Sequence, residues 1–244
     1  MAGAALVTGG TGFLGGAIVE RLLADGRAVK ALARSDDSAR ALRALGADSV
    51  RGDVLDPDLL AAAMRGCEVV YHAAGVNALC FRDPSPLFEV NVRGSRNVVD
   101  AAAAAGVRRV VYTSSAATLG EARGTVGTET SPHRGWFLSN YERSKFEAEQ
   151  TVLTSARETG TELVCVNPAS VQGPGRATGS ARLLLDYLNG RLKAVVDSTI
   201  SLVDIAPTAP RAICVLRNEG SRGSGTSSVE RLSPCGTASS SSSA

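Results

Sequence analysis

Six short, nearly unbroken apolar runs punctuate the first two thirds of the chain, at Ala4–Thr8, Ala28–Arg34, Asp48–Arg51, Glu68–His72, Arg109–Thr113 and Glu162–Asn167. Runs of that length without strict alternation predict strands covered on both faces. Between them, apolar residues return at helical spacing over Gly12–Asp25, Ser38–Leu45, Pro57–Met64, Leu87–Ala105 and Tyr141–Thr159, several entered through Ser, Asp or Pro and left through Gly. Strand and helix in this alternation predict an α/β fold built on a doubly wound parallel sheet. After Asn167 the regularity loosens into a Gly- and Pro-rich loop, Gly173–Gly179. A helix over Ala181–Asn189 and a strand around Ile200–Ile205 are expected next, as the start of a substrate-facing lobe. From Pro207 the pattern fails. The closing stretch SRGSGTSSVERLSPCGTASSSSSA carries too little apolar surface to offset its ordering entropy, so residues 207–244 are expected to be an unstructured tail behind a folded unit, 1–206.

Composition narrows the function classes. At 244 residues, 44% hydrophobic and 20% charged, the chain can bury a sizeable core. Its formal net charge is +2, with arginines dispersed, which argues against nucleic acid as a partner. Five cysteines, Cys67, Cys80, Cys165, Cys214 and Cys235, make no C-x-x-C pair and are odd in number, so neither a metal site nor a disulfide framework is expected. The start does not resemble a signal peptide and no apolar run is long enough to cross a bilayer, so a cytoplasmic protein with no membrane partner is expected.

The first strand hands over to the first helix through Gly9, Gly10, Gly12, Gly15 and Gly16. Glycine destabilises a helix's first turns. A reason to tolerate it is the approach of a pyrophosphate to backbone amides at a helix N-terminus, as in Rossmann folds. The spacing here is T-G-x-x-G-x-x-G, through Thr8, Gly9, Gly12 and Gly15.

With TGGTGFLG at Thr8–Gly15 stand GDVLD at Gly52–Asp56, VYHAAG at Val70–Gly75, NVRGSRN at Asn91–Asn97, VYTSSAATLG at Val111–Gly120, YERSK at Tyr141–Lys145 and NPASVQGPG at Asn167–Gly175. In this order the chain resembles the extended short-chain dehydrogenase/reductases, the NAD-dependent epimerase/dehydratase superfamily, and especially the dihydroflavonol-reductase-like and bacterial sugar-epimerase-like branch. The resemblance implies a dinucleotide cradle containing Gly9, Gly12, Phe13, Leu14 and Gly15. It implies that Asp53 accepts from the adenine amino group with Val54 against the ring, and that the cofactor passes close to Ala73 and Ala74 and near Pro168. His72 reads as a packed strand-end histidine and is left out of the chemistry. Asn91 either bridges neighbouring elements or meets ligand, and Trp136 and Phe137 are either core anchors or a lid.

Tyr141 and Lys145, four apart in a helical pattern, share one face. A neighbouring ammonium is expected to lower the phenol's pKa toward the working range. By resemblance, Tyr141 and Lys145 also contact the cofactor, Lys145 through the nicotinamide ribose, Tyr141 exchanges a proton with the substrate oxygen and Ser115 holds that oxygen, with Ser114 as the alternative. The second strand ends in Arg34 rather than an acid, which suits the 2′-phosphate of NADP(H). Asp36 and Asp37 follow closely and keep NAD(H) open. Sugar-nucleotide dehydratases of the family carry an acidic pair just after the serine, where this chain has Ala116 and Ala117. The expected activity is therefore an NADP(H)-dependent carbonyl reductase or alcohol dehydrogenase acting on a small molecule with a carbonyl or hydroxyl. A sugar epimerase and a cofactor-binding chain without turnover are the alternatives, and a homodimer is left open. Family members continue beyond the SLVDI strand into a substrate lobe, whereas this chain reads PTAPRAICVLRNEG. One hypothesis is a shift of reading frame near Pro207; the other is a short form with a tail. Sequencing the source DNA decides it, since no second frame continuing the lobe would sink the first.

Overall fold

The computed structural model describes residues 3–77, 82–121, 125, 127–128, 131–192, 200–205 and the backbone of 229–232. Strands β1 (Ala4–Thr8), β2 (Val29–Ala33), β3 (Asp48–Arg51), β4 (Cys67–His72), β5 (Arg109–Thr113) and β6 (Glu162–Val166) form a parallel sheet ordered β3-β2-β1-β4-β5-β6. The order reverses between β1 and β4, so the loops leaving their C-terminal ends diverge and open a crevice.

Alternate strand residues feed two cores, one on each face of the sheet. Ala5, Val7, Val69, Tyr71, Val111, Val164 and Val166 pack with helices α1 (Phe13–Ala24) and α2 (Asp36–Ala44) through Ile18, Val19, Leu22 and Leu42. Leu6, Val70, Val110, Tyr112, Leu163 and Cys165 pack on the other face with α3 (Pro57–Met64), through Leu60 and Met64. Val98, Val99, Val152 and Leu153, from the two long helices beyond, complete that second core. This is the two-sided burial expected of the apolar runs, except at edge strand β3, where no residue is fully buried.

Helix boundaries follow their caps. The Ser35 side chain accepts from Ser38 N at 3.2 Å, so α2 starts two residues earlier than expected at Ser38. Asp56 caps α3 by accepting from Leu59 N, with Pro57 in the first turn. The single helix expected over Leu87–Ala105 is instead a short α4 (Ser85–Phe88), a π turn at Glu89–Arg93 and α5 (Gly94–Ala104). The wide turn turns Asn91 inward, where it is buried, and such turns often mark a side chain with a fixed task. Helix α6 (Asn140–Thr159) is capped by Ser139 at its start and closed by Gly160 at φ +72°, a left-handed position that glycine adopts without strain.

Beyond β6 a small parallel pair forms from β7 (Ser170–Gln172) and β8 (Leu202–Asp204), with α7 (Ser180–Leu188) between them in sequence. The backbone of Val229–Leu232, inside the stretch expected to be unstructured, forms β9, parallel to the outer edge of β6. The segment pairs along the outer edge of β6 from Leu163 with Val229 to Val166 with Leu232. The serine run, Cys80, Cys214 and Cys235 lie outside the described residues. Among the described residues no helix is long and apolar enough to cross a membrane.

Candidate active site

At the crevice, Gly9 (φ +75°) turns the chain from β1 toward α1 so closely to β4 that a Cβ on it would lie 2.6 Å from Ala74 N. A Cβ on Gly15 would lie 2.1 Å from Gly9 O, which joins the first turn of α1 to the loop. Gly12 is the cap residue of α1 and has no side-chain cap, so the first amides of α1, at Phe13 and Leu14, receive no side-chain acceptor from it. Phe13 and Leu14 are half-buried beside this turn. A tight glycine turn beneath an uncapped twelve-residue helix fits the pyrophosphate of a dinucleotide. Ala73 N donates to Thr8 O (3.2 Å), so β4 leaves the sheet in step with β1 and Ala73 and Ala74 wall the crevice.

The second half of the site is built where β5 ends against α6. Ser115 Oγ accepts from Ala117 N (3.2 Å) in the 3₁₀ turn Ala116–Thr118, and its side chain is near enough to the Tyr141 phenol to pull that group's pKa down. Ser114 faces the other way and donates to the Glu149 carboxylate. The two candidate serines are therefore separated by geometry, with Ser115 the one beside Tyr141. Lys145 is buried, its Nζ 2.9 Å from Thr113 O, 3.3 Å from Tyr112 Oη and 4.9 Å from the Tyr112 ring centroid. Burial brings its pKa down to about 8, against the upward pull of Glu149 and Cys165.

Tyr141 behaves differently from the expectation. Burial raises its pKa, while the Ser115 hydrogen bond and the Arg176 charge pull it down. Lys145 is not among the groups that lower it, because its ammonium is turned to Thr113 and Tyr112. Arg176 was not singled out in the sequence. It donates to Val171 O (2.7 Å) and its guanidinium lies 5.3 Å from the Phe13 ring centroid, between the glycine turn and Tyr141. Pro168 is buried at the end of β6, where its carbonyl accepts from Ala116 N (2.9 Å) and holds the serine turn.

The remaining residues sort clearly. Asp53 Oδ1 accepts from Leu55 N (2.9 Å). Val54 is buried and packs against Gly94, where an added Cβ would lie 2.8 Å from Val54 Cγ2. Arg34 is exposed at the end of β2 and makes no ion pair among the described residues, whereas Asp36 pairs with Arg51 and Asp37 with Arg40. Buried His72 bridges Thr8 (2.6 Å) and Ser95 (2.9 Å), and burial, with Lys145 nearby, lowers its pKa to about 3: a packed, neutral histidine. Asn91 accepts from Val76 N (2.8 Å) and donates to Val76 O (3.1 Å) and Ser144 Oγ (2.9 Å), which bridges the segment after β4 to α6. Phe137 stacks with His133 and Phe146 as an anchor, while Trp136 stays exposed with Arg134 over its ring.

The arrangement has relatives. Residues 5–203 match the model of the NAD dependent epimerase/dehydratase family. A putative dihydroflavonol 4-reductase from Synechocystis is 37% identical over 214 residues, covering 86% of this chain and 62% of that protein. A 2-alkyl-3-oxoalkanoate reductase from Shewanella oneidensis is 35% identical over 199 residues, 78% of this chain and 50% of its own length. This chain thus spans between half and two thirds of the length of these relatives. Among solved structures, a Thermus thermophilus UDP-glucose 4-epimerase in complex with NAD superposes with a TM-score of 0.75 at 25% identity, over 94% of this chain and 76% of the other. The sheet order, the glycine turn and the matched span lead to one assignment: the chain belongs to the NAD dependent epimerase/dehydratase family.

Proposed function

We propose that the chain is an NADP(H)-dependent oxidoreductase, a carbonyl reductase or alcohol dehydrogenase similar to the dihydroflavonol reductases, acting on a small molecule through Ser115, Tyr141 and Lys145. The observation that carries this reading is the convergence of three side chains where β5 ends against α6: buried Lys145 bonded to Thr113 O (2.9 Å), Tyr141 one turn before it on the same helix, and Ser115 close enough to pull the phenol's pKa down. When bound, the nicotinamide supplies hydride chemistry; the chain supplies position and the proton. Gly9, Gly12, Phe13, Leu14 and Gly15 would hold the pyrophosphate, Asp53 the adenine, and Ala73, Ala74 and Pro168 the path between.

Ser115 orients the substrate oxygen and Tyr141 gives its hydroxyl proton to that oxygen during reduction. A phenol kept protonated by burial suits the donor role, and the Arg176 charge stabilises the phenolate left behind. Lys145, adjacent on the same face, would reach the ribose. Preference for NADP(H) is supported by Arg34 together with Arg51, which pairs in register with Ala33 at the end of the neighbouring strand. Asp36 and Asp37 each already face an arginine.

Residues 1–206 would form the cofactor-binding unit and the beginning of a substrate lobe, with 207–244 as its tail. The shorter length relative to its relatives favours a second reading, a chain that binds the dinucleotide without turning over. A carbonyl panel assayed by NADPH oxidation separates the two. Turnover that falls about 10²–10⁴-fold in Tyr141→Phe supports the reductase. Turnover indifferent to that change removes Tyr141 as the donor, and nucleotide binding with no turnover selects the second reading.

A further inference from the structure

Positions 141, 145 and 149 recur every four residues along α6, so Glu149 lies on the face that carries Tyr141 and Lys145, one turn beyond the lysine. It is 1% exposed. Its carboxylate accepts from three separate elements: Ser114 Oγ at the end of β5, Thr118 Oγ1 (2.9 Å) in the 3₁₀ turn, and Asn167 Nδ2 (2.7 Å) after β6. A buried carboxylate is seldom the most stable way to fill such a space, since apolar residues of similar volume serve as well or better. Its position relative to the site suggests what it does instead.

The first consequence is steric selection. By taking the Ser114 hydroxyl, and with Thr118 also bonded to Ser115 O (2.8 Å), Glu149 fixes the turn in which Ser115 is presented to Tyr141. The second is electrostatic. Lys145 makes no ion pair among the described residues; its hydrogen-bond acceptors, Thr113 O and Tyr112 Oη, are neutral. The groups around it are Tyr141 and Glu149 on its own helix, Tyr112 on β5, Cys165 on β6 and His72 on β4, and of these Glu149 is the carboxylate. Burial draws the lysine toward neutrality while Glu149 opposes that.

We propose that Glu149 is a positioning residue of the site, whose carboxylate locks the Ser114–Thr118 turn so that Ser115 meets Tyr141 and holds Lys145 as an ammonium at neutral pH. Its significance for turnover rests on the reading of Ser115, Tyr141 and Lys145 given above, but its direct test does not require turnover. The chain has three lysines, Lys30, Lys145 and Lys193, so protein labelled with ¹³C-lysine gives three side-chain signals, and Lys145→Met identifies one of them. The Lys145 titration midpoint is expected to fall by about one pH unit in Glu149→Gln, a tenfold change in its protonation equilibrium. In Glu149→Asp, which keeps the charge, it is expected to stay near the wild-type value. If turnover is present, the alkaline limb of the kcat profile in Glu149→Gln moves down by the same amount.

An unchanged midpoint in Glu149→Gln, or equal shifts in the Gln and Asp variants, would overturn the electrostatic role. The wild-type chain decides the case if neither variant folds: Lys145 already neutral at pH 7 overturns the proposal, and an ammonium there agrees with it. A shifted midpoint in a chain without turnover would sink the reductase reading and leave the Glu149–Lys145 coupling standing. Turnover lost in Tyr141→Phe with no response to Glu149→Gln would do the reverse.

Discussion

Helices α6 and α7 are written in the same kind of sequence, apolar residues returning between polar ones, and meet opposite fates. Ala148, Val152, Leu153 and Ala156 of α6 are buried in the core shared with α3, α5 and the sheet, and both ends of the helix are closed by Ser139 and Gly160. In α7 only Ala181 is buried, while Leu183, Leu185, Tyr187 and Leu188 remain exposed, Leu188 by 77%. Periodicity tells that a helix has an apolar face; it does not tell that cover is present. The face that found cover also carries the residues proposed for the chemistry, with Tyr141, Lys145 and Glu149 held on three successive turns.

That contrast can be broken at several points. The largest expected effect is on the chemistry proposed for α6, where Tyr141→Phe should lower carbonyl turnover about 10²–10⁴-fold with a far smaller change in NADPH affinity; steady-state rates and a binding titration check it. Next is packing: Leu153→Ala should destabilise the chain by about 2–5 kcal/mol in denaturant unfolding, as expected for a buried leucine. The equivalent change on the other helix, Leu188→Ala, should stay within about 0.5 kcal/mol. Equal losses at both positions would erase the distinction between the helices.

A pH series tests the same interior. His72 has its folded pKa at about 3, below the unfolded value of 6.5, so the unfolded chain binds the extra proton between those values. Its contribution to stability is present above pH 6.5 and is lost as pH falls toward 3, by at most about 1.4 kcal/mol per pH unit crossed. His72→Asn should flatten that part of the profile. A more modest loss is expected at the helix start: Ser139→Ala removes the acceptor for Glu142 N and should destabilise by about 1 kcal/mol.

Much of the cofactor side is legible in the sequence because it depends on local rules. The glycine spacing, the apolar runs and the caps at Asp56 and Gly160 each act within a few residues, and strands β1, β3 and β5 fall where the pattern places them. What was not legible depends on contacts distant in sequence. The π turn at Glu89–Arg93 exists where Asn91 reaches Val76 and Ser144, residues that no helical pattern brings together. Val54 turns into the core because Gly94 leaves room for it. The pairing of Lys145 with Thr113 and Tyr112, in place of an effect on Tyr141, follows from the way β5 lies under α6. Glu149 had a local signal, the fourth place after Lys145, but its three donors come from β5, the 3₁₀ turn and the end of β6. β9 pairs on β6 from more than sixty residues away, at Leu163 with Val229.

Thermal unfolding of the purified chain, alone, with NADPH and with NADH, tests most directly the claim that this is a dinucleotide-binding protein read by Arg34. Nucleotide at about 100 times its dissociation constant should add about 2.7 kcal/mol to the native state. The account predicts a raised midpoint with NADPH and a smaller rise with NADH at equal concentration. A cooperative transition that neither nucleotide moves would contradict it.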